Sequence, residues 1–181
     1  MAENRRVKMT KAMLKDALIE LLESRPISKI TITDICKAAD VNRSTFYSHY
    51  ENEIMLFKEI QADVINKIPS LPETINEYTR GDFLLHCESF LKYIKKNKDM
   101  FKLLMFKSGD NQFNENLVRL VIDRYYVKSK IRETHIHEYK CYYNVCGIIG
   151  MLNMWIYEDF PVSEHTLAEF ILNMSERFKE V

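Results

Sequence analysis

The sequence predicts an all-α protein of about nine helices, a small N-terminal three-helix domain followed by a larger helical body. Three observations carry that prediction. Apolar residues recur at helical spacing along most of the 181-residue chain. Only four glycines and four prolines occur, too few for the turns of a β-sandwich or for a glycine-rich nucleotide fold. Apolar residues make up 46% and charged residues 29%, the balance of a chain that buries a core rather than of a disordered one.

The elements follow in order. Leu14, Ala17, Leu18, Leu21 and Leu22 keep the 3.6-residue period and predict a first helix from about Thr10 to Ser24, closed off by Pro26. Ile27, Ile30 and Ile32 anchor a short connection. Thr31 stands three residues before Asp34, a variant capping box that starts a second helix near Ile32 and carries Ile35, Cys36 and Ala39 inward. Asp40 and Val41 form a tight break, and Asn42 is a good N-cap for a third helix reaching about Tyr50. Phe57, Ile60, Val64 and Ile68 then predict a fourth helix from about Glu53 to Lys67, stopped by Pro69.

Pro69 to Arg80, with two prolines and weak periodicity, is the best candidate boundary. Further helices are expected at about 82–97, 99–107, 112–132, 136–158 and 164–179, with a break at Ser108-Gly109-Asp110. The organisation expected is a helix-turn-helix domain over residues 1–52 and a regulatory and dimerisation domain over 53–181.

Arg5, Arg6, Lys8 and Lys11 are not followed by an apolar run, so no signal peptide is expected. The most apolar stretch, Val145 to Ile156, falls well short of the roughly 20 residues of a membrane span. Cys36, Cys87, Cys141 and Cys146 lack framework spacing and read as buried thiols of a reducing compartment. A cytoplasmic location away from membranes follows as the expectation.

Residues 31–50, TITDICKAADVNRSTFYSHY, carry the clearest functional signal. Two short helices joined by a three- to four-residue turn form a helix-turn-helix, whose second helix enters the DNA major groove. Val41, Phe46 and Tyr50 point to the core, while Arg43, Ser44, Tyr47 and Ser48 lie outward. Arg43 suits a bidentate contact to the O6 and N7 edge of guanine. Ser44, Thr45, Tyr47 and His49 suit phosphates and thymine methyls. As a bare pattern, the same residues also fit a helical hairpin inside a bundle.

Over Thr10 to Leu56 the chain resembles the DNA-binding domain of TetR/AcrR-family transcriptional regulators. The matching features are the Thr10-led first helix, the Thr31-Ile32-Thr33-Asp34-Ile35 start of the second, Ala38-Ala39-x-Val41, and Thr45-Phe46-Tyr47-x-His49-Tyr50. The resemblance implies that Thr31 caps the second helix near a phosphate and that Thr33 points into the groove. It implies a DNA-facing set of Asn42, Arg43, Ser44, Thr45, Tyr47 and His49. Two departures stand out. Asp40 replaces the usual glycine of the turn, and Glu53, with Glu51 nearby, replaces a lysine that contacts phosphate. Affinity is then expected to lean on Arg5, Arg6, Lys8 and Lys11 as a basic arm.

The resemblance also implies a small-molecule effector bound among the C-terminal helices, for which Phe90, Tyr93, Phe101, Met105, Tyr142 and Trp155 are the candidate lining residues. The same aromatics read equally as ordinary core. Residues 93–104 with Trp155-Ile156 resemble, more loosely, the C-terminal domain of dihydroxyacetone-kinase activators of the same family.

The last two long helices carry a physical message of their own. Tyr142, Val145, Cys146, Ile149, Leu152 and Ile156 form one stripe, and Ile148, Met151, Met154 and Trp155 make the circumference largely apolar, so the helix must be covered on every side. The final helix offers Leu167, Phe170, Ile171, Met174 and Phe178. A four-helix interface between two copies, built on Ile148, Met151, Trp155, Leu167, Phe170, Ile171 and Met174, meets that need and is the family's mode of dimerisation.

His135, His137 and Cys141 form the one cluster with any likeness to metal ligands, but their spacing spreads them over different helix faces, so no metal is expected. Asp110, Asp123 and Glu133 read as solvated positions. No Ser-His-Asp, Walker or Rossmann pattern occurs, so neither catalysis nor a cofactor is expected.

The expected function is a homodimeric, ligand-responsive repressor on a palindromic double-stranded DNA operator. The alternative is a helical coactivator or adaptor with weak DNA affinity, motivated by Glu51 and Glu53. The zero net charge conceals a division: residues 1–50 hold nine basic and six acidic side chains (+3), and the rest hold 17 and 20 (−3).

Overall fold

The computed structural model describes residues 5–69, 79–125 and 135–177, and every regular element among them is helical. The chain divides into two compact units. One comprises residues 1–66 together with 103–111, and the other comprises 67–102 and 112–181.

The first unit begins with α1 (Arg5–Ser24), whose buried face is Leu14, Ala17, Leu18 and Leu22. The helix starts five residues before the expected Thr10, so Arg5, Arg6 and Lys8 continue it instead of forming an arm. A single 3-10 turn, Ile27–Lys29, leads into α2 (Ile32–Ala38), α3 (Arg43–Tyr47) and α4 (Glu53–Asn66). Ile35, Phe46, Leu56, Phe57 and Ile60 complete the core of this unit.

Polar contacts fix α1 against α4. Lys15 Nζ donates to Asp63 Oδ2 at 2.6 Å and lies 2.8 Å from Glu59 Oε1, while Lys11 reaches Glu59 at 3.5 Å and lies over the Tyr50 ring. Burial opposes the charge on Lys15, but the two carboxylates outweigh it and hold the ammonium above its ordinary pKa. Lys11, half-buried, is thus engaged by Glu59 and the Tyr50 ring and does not extend as a basic arm.

Residues 103–111 return to this unit from far along the chain. The expected helix at 99–107 is split: α6 covers only Lys98–Lys102, and Leu103–Lys107 is a wider π-helical turn that buries Leu103, Leu104 and Met105. Ile27 N–H donates to Ser108 O at 2.9 Å, and Lys107 pairs with Glu23. Gly109 closes the strap at φ +71°, where a Cβ would lie 2.8 Å from Pro26 Cβ, so glycine is required for both conformation and space.

The second unit contains α5 (Arg80–Lys96), α6, α7 (Gln112–Tyr125), α8 (His135–Tyr157) and α9 (Glu164–Arg177). Thr79 caps α5: its backbone N–H donates to Asp82 Oδ2 at 2.8 Å, and its Oγ1 accepts from Asp82 N–H at 3.2 Å. The Thr79 hydroxyl, donating to Asp82 Oδ2 at 2.6 Å, and then the Thr79 backbone N–H hold the Asp82 carboxyl below its usual range. Helix α5 packs on α9, and α7 on α8. The α5–α9 seam is pinned by Arg80 to Glu176 at 3.1 Å, His165 to Glu88 at 2.6 Å, and Lys95 to Glu164 at 3.2 Å. Edge-to-face contacts run from Tyr93 to Phe101 and on to Phe113.

The corner after α8 places Asp159 and Phe160 at φ +58° and +65°, a costly conformation for a bulky residue. It is held by Phe160 N–H donating to Trp155 O at 2.8 Å, by the two rings meeting edge-on at 4.7 Å, and by Lys102 on Asp159 at 2.8 Å. Among the described residues no helix is long and apolar enough to cross a membrane.

Candidate functional site

The helix-turn-helix is assembled by local chemistry at each joint. Thr31 Oγ1 accepts from the Asp34 N–H at 3.2 Å, and Asp34 Oδ2 accepts from the Thr31 N–H at 3.0 Å and from its hydroxyl at 2.8 Å. Those bonds, chiefly, hold the Asp34 carboxyl below its ordinary pKa, with Arg25 adding to them from 3.2 Å. The Thr31 hydroxyl and N–H are therefore already engaged within the chain at the position from which a phosphate contact was expected.

The turn is a Schellman motif. Ala39 ends α2, Asp40 takes the left-handed conformation at φ 52°, and Val41 N–H donates back to Cys36 O at 3.0 Å. An aspartate tolerates this position, where the resemblance implies glycine, because left-handed backbone is accessible to Asx residues at modest cost.

Helix α3 is only five residues long and is oriented by two anchors. Phe46 is fully buried and Tyr50 is 4% exposed, their rings 5.8 Å apart. Most of the residues around the anchors are thereby turned outward. Asn42, Arg43, Ser44, Tyr47 and Ser48 are exposed, as are Thr31 and Thr33 on α2, while Thr45 and His49 are half-buried. Arg43 donates to the Tyr47 hydroxyl at 3.4 Å, which aligns the two side chains on one surface. Asn42 occupies the N-cap without a side-chain capping bond, so its amide remains available to a ligand. The structure thus brings all eight residues expected to face DNA onto one short motif.

The start of α4 adds a residue that the sequence reading passed over. Asn52 Oδ1 accepts from the Met55 N–H at 2.9 Å, so the helix is capped by Asn52 and Glu53 follows it in the first turn. An acidic first turn is favourable for the helix itself and unfavourable for a phosphate at the same place.

In the second unit a cavity of about 210 Å3 lies between α5, α7, α8 and α9. Phe83, Cys87 and Phe90 line it from α5, Leu120 and Val121 from α7, Ile148 from α8, and Ile171 and Leu172 from α9. Arg80, His86, Ser175 and Glu176 supply polar groups. Of the six residues expected at a ligand site, Phe90 lines this cavity. Phe101 is fully buried in the Tyr93–Phe101–Phe113 stack, and Trp155 is buried with its N–H donating to Val162 O at 2.9 Å. Met105 belongs to the other unit, and Tyr142 is exposed.

The expected interface residues are also redistributed. Trp155, Leu167 and Ile171 are buried within the chain, Ile148 and Ile171 line the cavity, and Met151 and Met174 are half-buried. Phe170 is exposed. The reason is physical: α8 is apolar almost all round and packs on α7 and α6, while α9 packs on α5, so both helices bury part of this set within the chain. The side left outward carries Ile136, Tyr139, Tyr143, Met154 and Tyr157, 60–77% exposed, with Cys146, Gly147 and Gly150 between them. Phe178 and Glu133 lie outside the described residues, as does the His137 side chain. His135 is 3.5 Å from Glu138, Cys141 is buried, and no group of three or more His, Cys, Asp or Glu side chains among the described residues is placed to hold a metal.

Residues 82–177, just over half of the chain, match the TetR-type family described as the transcriptional regulator C-terminal region. The chain is 37% identical over 123 residues to the probable acrEF/envCD operon repressor of Escherichia coli (strain K12), an alignment covering 61% of this chain and 54% of that protein. It is 35% identical over 81 residues to the uncharacterized HTH-type transcriptional regulator YxbF of Bacillus subtilis (strain 168), covering 42% of this chain and 21% of that one. The chain therefore spans about half the length of the first of these curated relatives, and less of the second.

Among solved structures, a TetR transcriptional regulator from Streptococcus agalactiae 2603V superposes with a TM-score of 0.75 at 25% identity, covering 94% of this chain and 96% of that one. The dihydroxyacetone kinase operon activator DhaS shares the fold, with a TM-score of 0.60 at 19% identity and coverage of 94% and 97%. The chain belongs to the TetR family of transcriptional regulators.

Proposed function

We propose that the chain is a DNA-binding transcriptional regulator that acts as a homodimer, represses from a palindromic operator and is released by a small molecule held in its helical body. The observation that carries the reading is the outward row of Asn42, Arg43, Ser44 and Tyr47 on α3, fixed by the buried Phe46 and Tyr50. A helix so short has no other face to present, and the row has the donors that read a major groove. Repression is supported by the repressor named among its relatives. The relation to kinase-operon activators rests on a likeness of fold.

Dimerisation is supported by the outward side of α8. Ile136, Tyr139, Tyr143, Met154 and Tyr157 recur at helical spacing, the small residues Cys146, Gly147 and Gly150 allow a second helix to approach closely, and Phe170 of α9 adds a further exposed aromatic. An exposed apolar row of this length calls for a cover, and a two-fold copy supplies the same patch. The acidic Glu51 and Glu53 favour a second reading, an adaptor that binds a partner protein and holds DNA weakly.

Titration against the promoter fragment of its own gene at several salt concentrations tests the reading. Binding that falls steeply with salt is expected, and absence of binding even at low salt would favour the adaptor. Arg43→Ala is expected to cost about 1–3 kcal/mol at one base position. An equal loss on every sequence would assign Arg43 to phosphate.

A further inference from the structure

We propose that the cavity of the helical body takes a small, uncharged, mostly apolar molecule bearing one hydrogen-bond-accepting oxygen, with the Ser175 hydroxyl as the donor that reads it. The proposal names the chemical class of the effector and rests on the ligand-responsive reading above.

Size sets the first limit. At about 210 Å3 the cavity exceeds the roughly 150 Å3 space that holds benzene, and it falls below the range of about 300–1,000 Å3 typical of drug-sized ligands. A single substituted ring or a short chain fits. The walls from α5, α7 and α8 are Phe83, Phe90, Leu120, Val121 and Ile148. Cys87 belongs with them: burial, chiefly, pushes its thiol up to about 12, so it remains protonated and is no nucleophile for an electrophilic ligand.

Charge sets the second limit. Arg80 and Glu176 both border the cavity and already satisfy each other, with Arg80 Nε donating to Glu176 Oε1 at 3.1 Å and its terminal nitrogen to Asn173 Oδ1 at 2.7 Å. An anionic ligand would have to take Arg80 away from Glu176, and a cationic one would do the reverse. Both side chains are nearly half exposed, so the partner set free would be met by water. A charged ligand would gain only the exchange of one exposed pair for another, while the apolar walls desolvate it.

Of the two polar features that remain, His86 on α5 and Ser175 on α9, the second is built from inside. Asn144 is 7% exposed, and its Nδ2 donates to Ser175 Oγ at 3.2 Å. A buried amide of this kind is normally spent on satisfying structure. Here it fixes a hydroxyl that lines the cavity and that makes no other hydrogen bond among the described residues. With its oxygen already accepting, the Ser175 hydroxyl keeps its own proton to donate. A ketone, ester, ether or alcohol oxygen on the ligand is the complementary group.

The full-length chain is titrated, without DNA, with acetophenone, ethylbenzene and benzoate, followed by ligand-observed NMR. Acetophenone is expected to bind tightest and benzoate weakest. Ser175→Ala should weaken acetophenone about three- to tenfold, toward the ethylbenzene value, the range of one net hydrogen bond. Ethylbenzene binding should be unchanged in that variant, which shows the cavity intact. Val121→Phe, which fills the cavity, should abolish binding of both.

Tighter binding of benzoate than of acetophenone would overturn the proposal. So would an unchanged ratio of acetophenone to ethylbenzene in Ser175→Ala, or no binding of any probe to the parent chain at millimolar concentration. Probes that bind as expected but do not release the chain from its promoter fragment would instead break the ligand-responsive reading and leave the ligand class standing.

Discussion

Helices α3 and α8 carry the two faces on which the proposed function depends, and they are defined in opposite ways. Helix α3 has five residues and cannot be stable as an isolated helix. Its orientation comes from the buried Phe46 and Tyr50, from packing on α2, and from capped joints on either side. Helix α8 has 23 residues and needs no such help to form, but it is apolar almost all round and so lacks an orientation of its own. Which side faces inward is decided by the helices that pack on it. A short element with two strong anchors is therefore positioned more sharply than a long element with many weak ones. The helix-turn-helix is correspondingly a fixed tool, whereas the body is a set of helices around a small hollow.

The largest test of that contrast is at the strap. If the head is rigid because residues 103–111 complete it, Gly109→Ala should destabilise it by about 2–4 kcal/mol, from left-handed strain and overpacking together. The added Cβ would meet Pro26, whose ring cannot swing aside, at 2.8 Å. Denaturant unfolding of the chain measures this. A loss below about 0.5 kcal/mol, the level of an ordinary surface change, would mean that the head does not depend on the strap.

The contrast also explains how far the sequence could be read. The Thr31–Asp34 cap and the burial of Phe46 were legible because each depends on residues close in the chain. The same Thr-x-x-Asp signal stood at Thr79 and Asp82 and could have placed the start of α5 two residues earlier. Asn52 before Glu53 was a legible cap as well. Other features were not legible. Nothing local to Leu103, Leu104 and Met105 says that they serve the core of the N-terminal unit, since burial there depends on α1, some 80 residues away. The inward turn of Ile148 and Trp155 was hidden for the same reason: with apolar residues on every side of α8, periodicity does not choose among them.

A gentler test addresses the turn of the head. Asp40 holds φ 52° where glycine would do so without strain. Asp40→Gly should therefore stabilise the chain by about 0.5–1 kcal/mol, after the greater unfolded-state freedom of glycine is subtracted from the relieved strain. Thermal unfolding should rise by roughly 2–4 °C per kcal/mol for a chain of this length. A fall would show that the aspartate side chain contributes more than its backbone costs.

The smallest expected effect lies in the body, where exposed polar pairs hold the seam beside the cavity. The Glu88 hydrogen bond, at 2.6 Å, raises the His165 pKa above its ordinary value of 6.5, and Glu169 adds to it. Lys92 shares Glu88 at 2.9 Å and opposes the shift. Because the folded-state pKa is the higher one, the folded chain holds the proton more tightly than the unfolded chain. The stabilisation is fully present below about pH 6.5 and is lost as pH rises through the folded-state value. His165→Gln removes the titration, so the stability gap between parent and variant should be widest in mildly acidic solution and close on passing to pH 8. Urea midpoints for the pair at pH 5.5, 7 and 8 measure that gap. The test takes hold of the body alone, since α5 and α9 both belong to the second unit. A gap that widened with rising pH would mean that His165 is held neutral in the fold, accepting rather than donating at this seam.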